Sequence, residues 1–265
     1  MSRIPFAACF AVAALPVLAG PPDNVISVEV LPGWRTADGT HMAGLQFTLA
    51  PGWKTYWRAP GDAGIPPDFA WTGSGNIDGA QFHWPVPEVF ELNGMRSIGY
   101  SGQVVIPIEL TPGDPAGDMH LSGSVDLGVC DEICMPMTLN FDAMLPVDGS
   151  RDAAITAALV DRPLTEEEAG VTAATCTMRP TDDGLAVTAA LRMPPDGGNE
   201  VVVVEPGLPG IWVSEARTRW SDGWLVAEVE MIAADGAPVS LDRSGLRITV
   251  LGESGAVDVQ GCAAG

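Results

Sequence analysis

Cations are scarce in this chain: 13 Lys and Arg stand against 34 Asp and Glu, a formal net charge of −21 over 265 residues. A field of that sign repels phosphate backbones and anionic lipid surfaces, which excludes nucleic acid and acidic membranes as partners. Beyond residue 20 there is no apolar run approaching the roughly 20 residues that span a bilayer. Low-complexity tracts and repeats of fixed period are also missing. Gly (31) and Pro (23) punctuate the sequence at intervals and do not cluster. Cysteine is sparse as well, five in all, and the positions of those five carry most of the chemistry.

The compartment those thiols meet is set by the N-terminus. "MSRIPFAACFAVAALPVLAG" has Arg3, an apolar stretch from Ile4 to Leu18, and small residues at Val17 and Ala19. This reads as an export signal over residues 1–19, cleaved in the mature protein. Its apolar run is about 15 residues and is broken by Pro16 and Gly20, too short for an anchor. Cys9 lies inside the removed segment. About 246 residues then remain, enough for two domains of ordinary size.

Cleavage leaves Cys130, Cys134, Cys176 and Cys262, an even number in an oxidising space where disulfides persist. Of the three connectivities, spacing favours Cys130 with Cys134 and Cys176 with Cys262, because the others would tie together halves that composition separates. A bridge closing about 87 residues stabilises by roughly 4.6 kcal/mol on loop entropy, and one closing about five residues by only about 2. The short ring also demands a sharp turn at Asp131 to Ile133, since an extended strand would hold its Cα atoms about 13 Å apart. The long bridge reads as structural and the short one as exchangeable.

The remainder reads as all-β. Alternating or β-branched runs occur at 24–31, 44–50, 104–110, 119–127 and 137–145, separated by turn formers such as "GDAGIPPD" and "TPGDPAGD". At "SRDAAITAALVDRPLTEEE" the pattern changes: Ser150 is placed to cap an Ala-rich helix that Pro163 stops. Strand patterns resume at 185–193, 201–205, 211–220, 224–232, 246–251 and 256–262. The expected architecture is two immunoglobulin-like β-sandwiches joined by a short helical linker. Residues 20–148 form a redox sandwich, 149–168 the linker, and 169–265 a second sandwich clamped by Cys176 and Cys262. That second half shows no catalytic constellation and reads as a spacer or docking module.

Chemistry concentrates in "DLGVCDEICMPMTLNF". Gly128 is expected to bend the chain, Cys130 and Cys134 flank three residues, and Pro136 stiffens the exit. Exchange proceeds through thiolates, and the carboxylates of Asp131 and Glu132 should keep the reduced pair sluggish until a partner docks. Upstream, "VFELNGM" offers apolar residues and a Gly94 hinge suited to a lid over a reducible disulfide. Trp53, Tyr56 and Trp57 form an aromatic knot from which Tyr56 can present its hydroxyl to sulfur.

The Gly-x-Cys-x-x-x-Cys-x-Pro motif, with "FELNGMRSIGYSGQVVIPIEL" and "PGWKTYWRAPGDAGIPP" upstream, resembles the N-terminal periplasmic domain of the thiol:disulfide interchange protein DsbD, and more closely its ScsB (suppressor of copper sensitivity) relatives. The resemblance covers residues 24–146 and, for the ScsB type, runs through a second sandwich. It implies a periplasmic thiol-disulfide reductase relay. Electrons pass from a membrane-embedded donor through Cys130 and Cys134 to thioredoxin-like oxidoreductases, with no cofactor and no metal. It also implies a cap in which Glu91 is the assisting acid, Leu92 or Phe90 the shield, Gly94 the loop glycine, and Tyr56 a tyrosine beside the cysteines. The family's aromatic is Leu92 here and a companion acid is Phe90. Since the chain stops at Gly265, without the membrane and thioredoxin-like domains usual in the family, its donor is expected to be another polypeptide.

Two other classes compete. Cys130, Cys134, Met135 and Met137 are soft ligands of the kind that select Cu(I), with His83 and His120 as auxiliaries, which would make a copper-tolerance protein. Alternatively the eight tryptophans serve a non-catalytic adhesive or carbohydrate-binding sandwich pair.

Overall fold

The computed structural model describes residues 25–61, 64–92 and 94–265. The expected export signal, with Cys9, lies outside them. No helix among the described residues is long and apolar enough to cross a membrane.

Among the described residues the first module holds ten strands: β1 (Ile26–Arg35), β2 (His41–Leu49), β3 (Lys54–Tyr56), β4 (Asp68–Ala70), β5 (Gly79–Phe82), β6 (Glu88–Leu92), β7 (Met95–Ser101), β8 (Gln103–Thr111), β9 (Met119–Cys130) and β10 (Cys134–Leu145). One sheet runs β1-β2-β8-β5; the other runs β10-β9-β3-β7-β6, with β4 also on β9. Their inner faces bury Leu45, Phe47, Ile106 and Ile108 with Trp57, Ile98, Tyr100, Leu121, Val125 and Val129. This is the two-layer solution that alternating strands require.

The linker helix α1 spans Ala153–Val160 and differs from expectation at its start. Asp152, not Ser150, is the N-cap, its carboxylate accepting from the amides of Ala154 at 2.7 Å and Ile155 at 3.0 Å. An ionised acceptor at a helix N-terminus gains from the unpaired amides and the dipole together. The helix ends before Pro163, and fully buried Ile155 packs with Trp34, Met42 and Val105 on the outer side of the first sheet.

The second module comprises β11 (Leu164–Thr165), β12 (Ala173–Pro180), β13 (Leu185–Arg192), β14 (Val201–Glu205), β15 (Ile211–Val213), β16 (Arg217–Ser221), β17 (Trp224–Ala233), β18 (Arg247–Leu251), β19 (Ala256–Gln260) and β20 (Ala263–Ala264). Its sheets run β11-β19-β18-β14 and β15-β17-β13-β12-β20, with β16 on β17. The run 211–220 is two strands because the register on β17 slips by one residue between Val213 and Arg217. Ser214 fills the gap, its amide donating to Glu230 O and its Oγ accepting from Glu230 N. Two sheet-rich modules joined by one helix match the expected fold class.

The modules share buried surface. Leu251 and Ala256 belong to the first module's apolar cluster, and Val201 and Val203 pack against it. Arg58, just beyond β3, reaches Glu205 on β14 through Nε at 3.1 Å and Nη2 at 2.9 Å, and Thr249 Oγ1 on β18 at 3.2 Å. Its guanidinium lies 3.8 Å from the ring centre of buried Trp57.

Candidate functional site

Strands β9 and β10 run in unbroken register from Met119 opposite Leu145 to Cys130 opposite Cys134. The turn the short ring requires is the hairpin loop Asp131–Glu132–Ile133. Directly opposite positions bring the Cα atoms to 4.1 Å, and the two sulfurs are bonded. Cys130 is 4% exposed, whereas Cys134 lies open to solvent beside Ile133, which is 70% exposed. One sulfur of the pair is thus accessible and the other shielded.

Alternation then decides what shares their face. On β3, Thr55 points inward and donates to Gly128 O at 2.9 Å. Lys54 and Tyr56 point outward with Cys130 and Gly128. The Tyr56 hydroxyl donates to Cys134 Sγ at 3.4 Å, the direction fixed because a disulfide sulfur carries no proton. Burial raises the Tyr56 pKa, so the phenol keeps that proton at neutral pH.

Gly128 does not bend the chain as expected; it lies within β9. A Cβ there would meet the Tyr56 ring at 2.8 Å and Ile65 Cβ at 2.9 Å. On the ring's other side a Cβ at Gly64 would meet Tyr56 Cδ1 at 2.9 Å and Pro60 Cβ at 2.2 Å. Two bare glycines therefore form the slot that holds the ring, which is only 3% exposed.

The cap residues lie on the β6–β7 hairpin, turned by Gly94 at φ +79°. Phe90, opposite Ser97, shares the outward face with Lys54, whose Nζ is 4.9 Å from the Phe90 ring centre and donates to Ser97 Oγ at 3.1 Å. Leu92 pairs with Met95. Glu91 points to the opposite face from Phe90 and accepts from Arg96 Nη2 at 3.3 Å. The structure thus brings Tyr56, Lys54 and the cysteine pair together and leaves Glu91 on the far side of its strand. The acids beside the sulfurs are Asp131 and Glu132, both exposed.

The copper ligand set is separated by the same alternation. Met135 and Met137 pack against the core, on the face opposite Cys134. His83 is paired with Glu109 at 3.0 Å and His120 with Asp142 at 2.9 Å. Among the described residues no three His, Cys, Asp or Glu side chains converge as a metal site.

Cys176, fully buried on β12, is bonded to Cys262, with Cα atoms 5.7 Å apart. Arg243 buttresses the bridge, donating from Nε to Cys176 O at 3.1 Å while its own carbonyl accepts from Cys262 N at 3.2 Å. The link ties the segment between β19 and β20 to β12, the strand on which β20 pairs at the edge of the other sheet.

Lys54, Ser97 and the glycine slot were not singled out by sequence reasoning. The signal for Lys54 was present: it stands two residues before Tyr56 in "WKTY", hence on the same face of any strand.

Among curated proteins no sequence relative matches the chain. The whole fold is similar to the crystal structure of the N-terminal periplasmic domain of ScsB from Proteus mirabilis, with a TM-score of 0.69 and 24% identity, covering 94% of this chain and 97% of that one. Residues 23–146 match the family model described as "Thiol:disulfide interchange protein DsbD, N-terminal". The accessible and the shielded cysteine, bonded at the tip of a hairpin, lie inside that segment, so the first module is a DsbD N-terminal-like domain carrying its cysteine pair at the hairpin tip.

Proposed function

We propose that this protein is a periplasmic thiol-disulfide reductase relay in which Cys134 is the entry sulfur and Cys130 the resolving one. The observation that carries the reading is the asymmetry of the pair: Cys134 is exposed and faces the Tyr56 hydroxyl, and Cys130 is almost wholly buried. In the reduced protein the Cys134 thiolate attacks a partner disulfide and expels one partner thiolate. The mixed disulfide is then broken by Cys130, which bonds to Cys134 and releases the second partner sulfur. Two electrons leave with the partner, now a dithiol, and the relay is oxidised. A dithiol donor embedded in the membrane reverses the sequence and recharges it.

Tyr56 supplies a neutral donor to the sulfur that bears charge when it attacks or departs, and such a bond strengthens as charge develops. Phe90 and the hairpin that carries it serve as the shield. Glu91 acts at the rim of that hairpin through Arg96, at a distance from the sulfurs. The acceptors are thioredoxin-like oxidoreductases of the periplasm.

The test equilibrates the whole protein with glutathione couples and follows each bridge separately. Cys130–Cys134 should cycle while Cys176–Cys262 stays closed, and a Cys130→Ala variant should trap a mixed disulfide with a thioredoxin-like partner through Cys134. A first bridge that stays oxidised against strong physiological reductant would overturn the relay.

A further inference from the structure

Lys54 occupies a position that neither the fold nor the exchange chemistry described above requires. It lies directly opposite Cys130 on β9 and opposite Ser101 on β7. Outward-facing cross-strand neighbours have Cβ atoms about 4.5–5.5 Å apart, so the lysine stem is rooted beside the sulfurs. Yet the ammonium leans away from them, toward Ser97 Oγ at 3.1 Å and the Phe90 ring at 4.9 Å. Ser97 is 4% exposed although it stands on the outer face. Lysine and phenylalanine cover it.

This arrangement suits an uncharged disulfide, for which a hydroxyl and an aromatic face are the better partners of an ammonium. Reduction changes that. When a partner dithiol reduces the bridge, the S–S bond takes up two electrons and one proton, giving one thiol and one thiolate. The partner closes its own disulfide, and its second proton goes to water. The new negative charge stands beside the root of a flexible four-carbon stem. The other ionisable groups on this face are Asp126 on β9 with Asp68 opposite it on β4, Asp131 and Glu132 in the hairpin loop, Glu88 on β6, which accepts from Ser101 Oγ at 2.7 Å, and the phenol of Tyr56. The five carboxylates oppose a thiolate; Lys54 is the cation set among them.

We propose that Lys54 is the electrostatic partner of the reduced cysteine pair, its ammonium leaving Ser97 and the Phe90 ring to stabilise the thiolate. The inference rests on the relay reading for its biological meaning, though its charge coupling can be measured without it.

The experiment titrates the thiolate ultraviolet absorbance of the whole protein after excess dithiothreitol has opened the first bridge, with the second verified closed by mass. Lys54→Met should move the lower thiolate midpoint up by about one pH unit, leaving about tenfold less thiolate at neutral pH. Lys54→Arg should restore most of it, and Ser97→Ala, which removes the competing acceptor, should move the midpoint the other way. Added salt should shrink the difference between wild type and Lys54→Met. A Lys54→Met protein with wild-type melting temperature and a wild-type titration curve would overturn the proposal. A pair that titrates as expected but fails to equilibrate with glutathione would count against the relay alone.

Discussion

The Tyr56 hydroxyl donates to Cys134 Sγ at 3.4 Å from a ring wedged between Gly128 and Gly64. Position and function are separable here, because the ring is held by packing and only the oxygen meets sulfur. Tyr56→Phe should therefore fold with nearly unchanged melting temperature. A hydrogen bond to a charged acceptor contributes about 1.5–3 kcal/mol, so exchange with a small disulfide should slow by roughly tenfold or more. Stopped-flow kinetics on the reduced variant checks this.

Gly128→Ala should have the opposite signature. The new methyl would overlap the Tyr56 ring at 2.8 Å and Ile65 Cβ at 2.9 Å, and neither is the free end of a flexible chain. Overpacking of this kind costs about 1–3 kcal/mol, and the ring must leave its slot. Chemical denaturation should show the loss of stability, and exchange should slow at least as much as in Tyr56→Phe.

The two bridges should respond inversely to cysteine removal. Cys176→Ala with Cys262→Ala opens a link between positions 86 apart and should cost up to about 4.6 kcal/mol on loop entropy, with exchange at the first module retained. Cys130→Ala with Cys134→Ala opens a link between positions four apart, in a hairpin whose register is already fixed by backbone bonds from Met119 onward. Its melting temperature should fall far less while exchange is abolished. Calorimetry on both double variants checks the contrast.

What could be read in the sequence follows a physical divide. The long strands β1, β2, β8, β9 and β10 carry alternating or β-branched runs of seven or more residues, and those runs located them. Strands β3, β4 and β5 span only three or four residues, too few for a period to emerge, and β7 (Met95–Ser101) has a single β-branched residue, Ile98, where β8 has a run of them. At the site, the cysteines were legible from their spacing and Tyr56 from the aromatic cluster it shares with Trp53 and Trp57. Glu91 was carried over by position in a motif, and strand parity turned it toward Arg96. Lys54 and the glycine slot depend on which strand lies beside which, a long-range pairing of β3 with β9 that no local window contains.

The clamp between modules should prove costly to break from one side. Arg58 and Glu205 side chains are 12% and 22% exposed, and burial lowers the Arg58 pKa while Glu205 pulls it back up. Removing one member of such a pair strands the other charge, at about 3–5 kcal/mol if fully buried and somewhat less at this exposure. Glu205→Ala should destabilise more than the double variant Arg58→Met/Glu205→Met, in which neither charge is left. A double-mutant cycle by urea denaturation checks the sign of the coupling.

Acid should weaken the second module through Glu200. Burial works to raise this carboxyl's pKa, but donation from Trp220 Nε1 at 2.7 Å and from the amides of Asp196 at 2.6 Å and Gly198 at 3.2 Å outweighs it and holds the value below 4.5. The carboxylate is 5% exposed and holds the Asp196–Gly198 turn against Trp220. Because the folded pKa is the lower one, the unfolded chain binds the proton first as pH falls. The contribution is therefore complete above the unfolded value and is lost as pH drops through the folded one. Glu200→Gln keeps one acceptor and removes the charge, so it should cost about 1–2 kcal/mol at pH near 7. That corresponds to a melting temperature lower by roughly 2–8 °C at this size. The gap to wild type should hold above the ordinary carboxylate range and close only as the pH falls below it, once the folded carboxyl, held low by its donors, is itself protonated. Melting curves of the two proteins across that range check it; parallel curves would mean the charge of Glu200 contributes nothing to the fold.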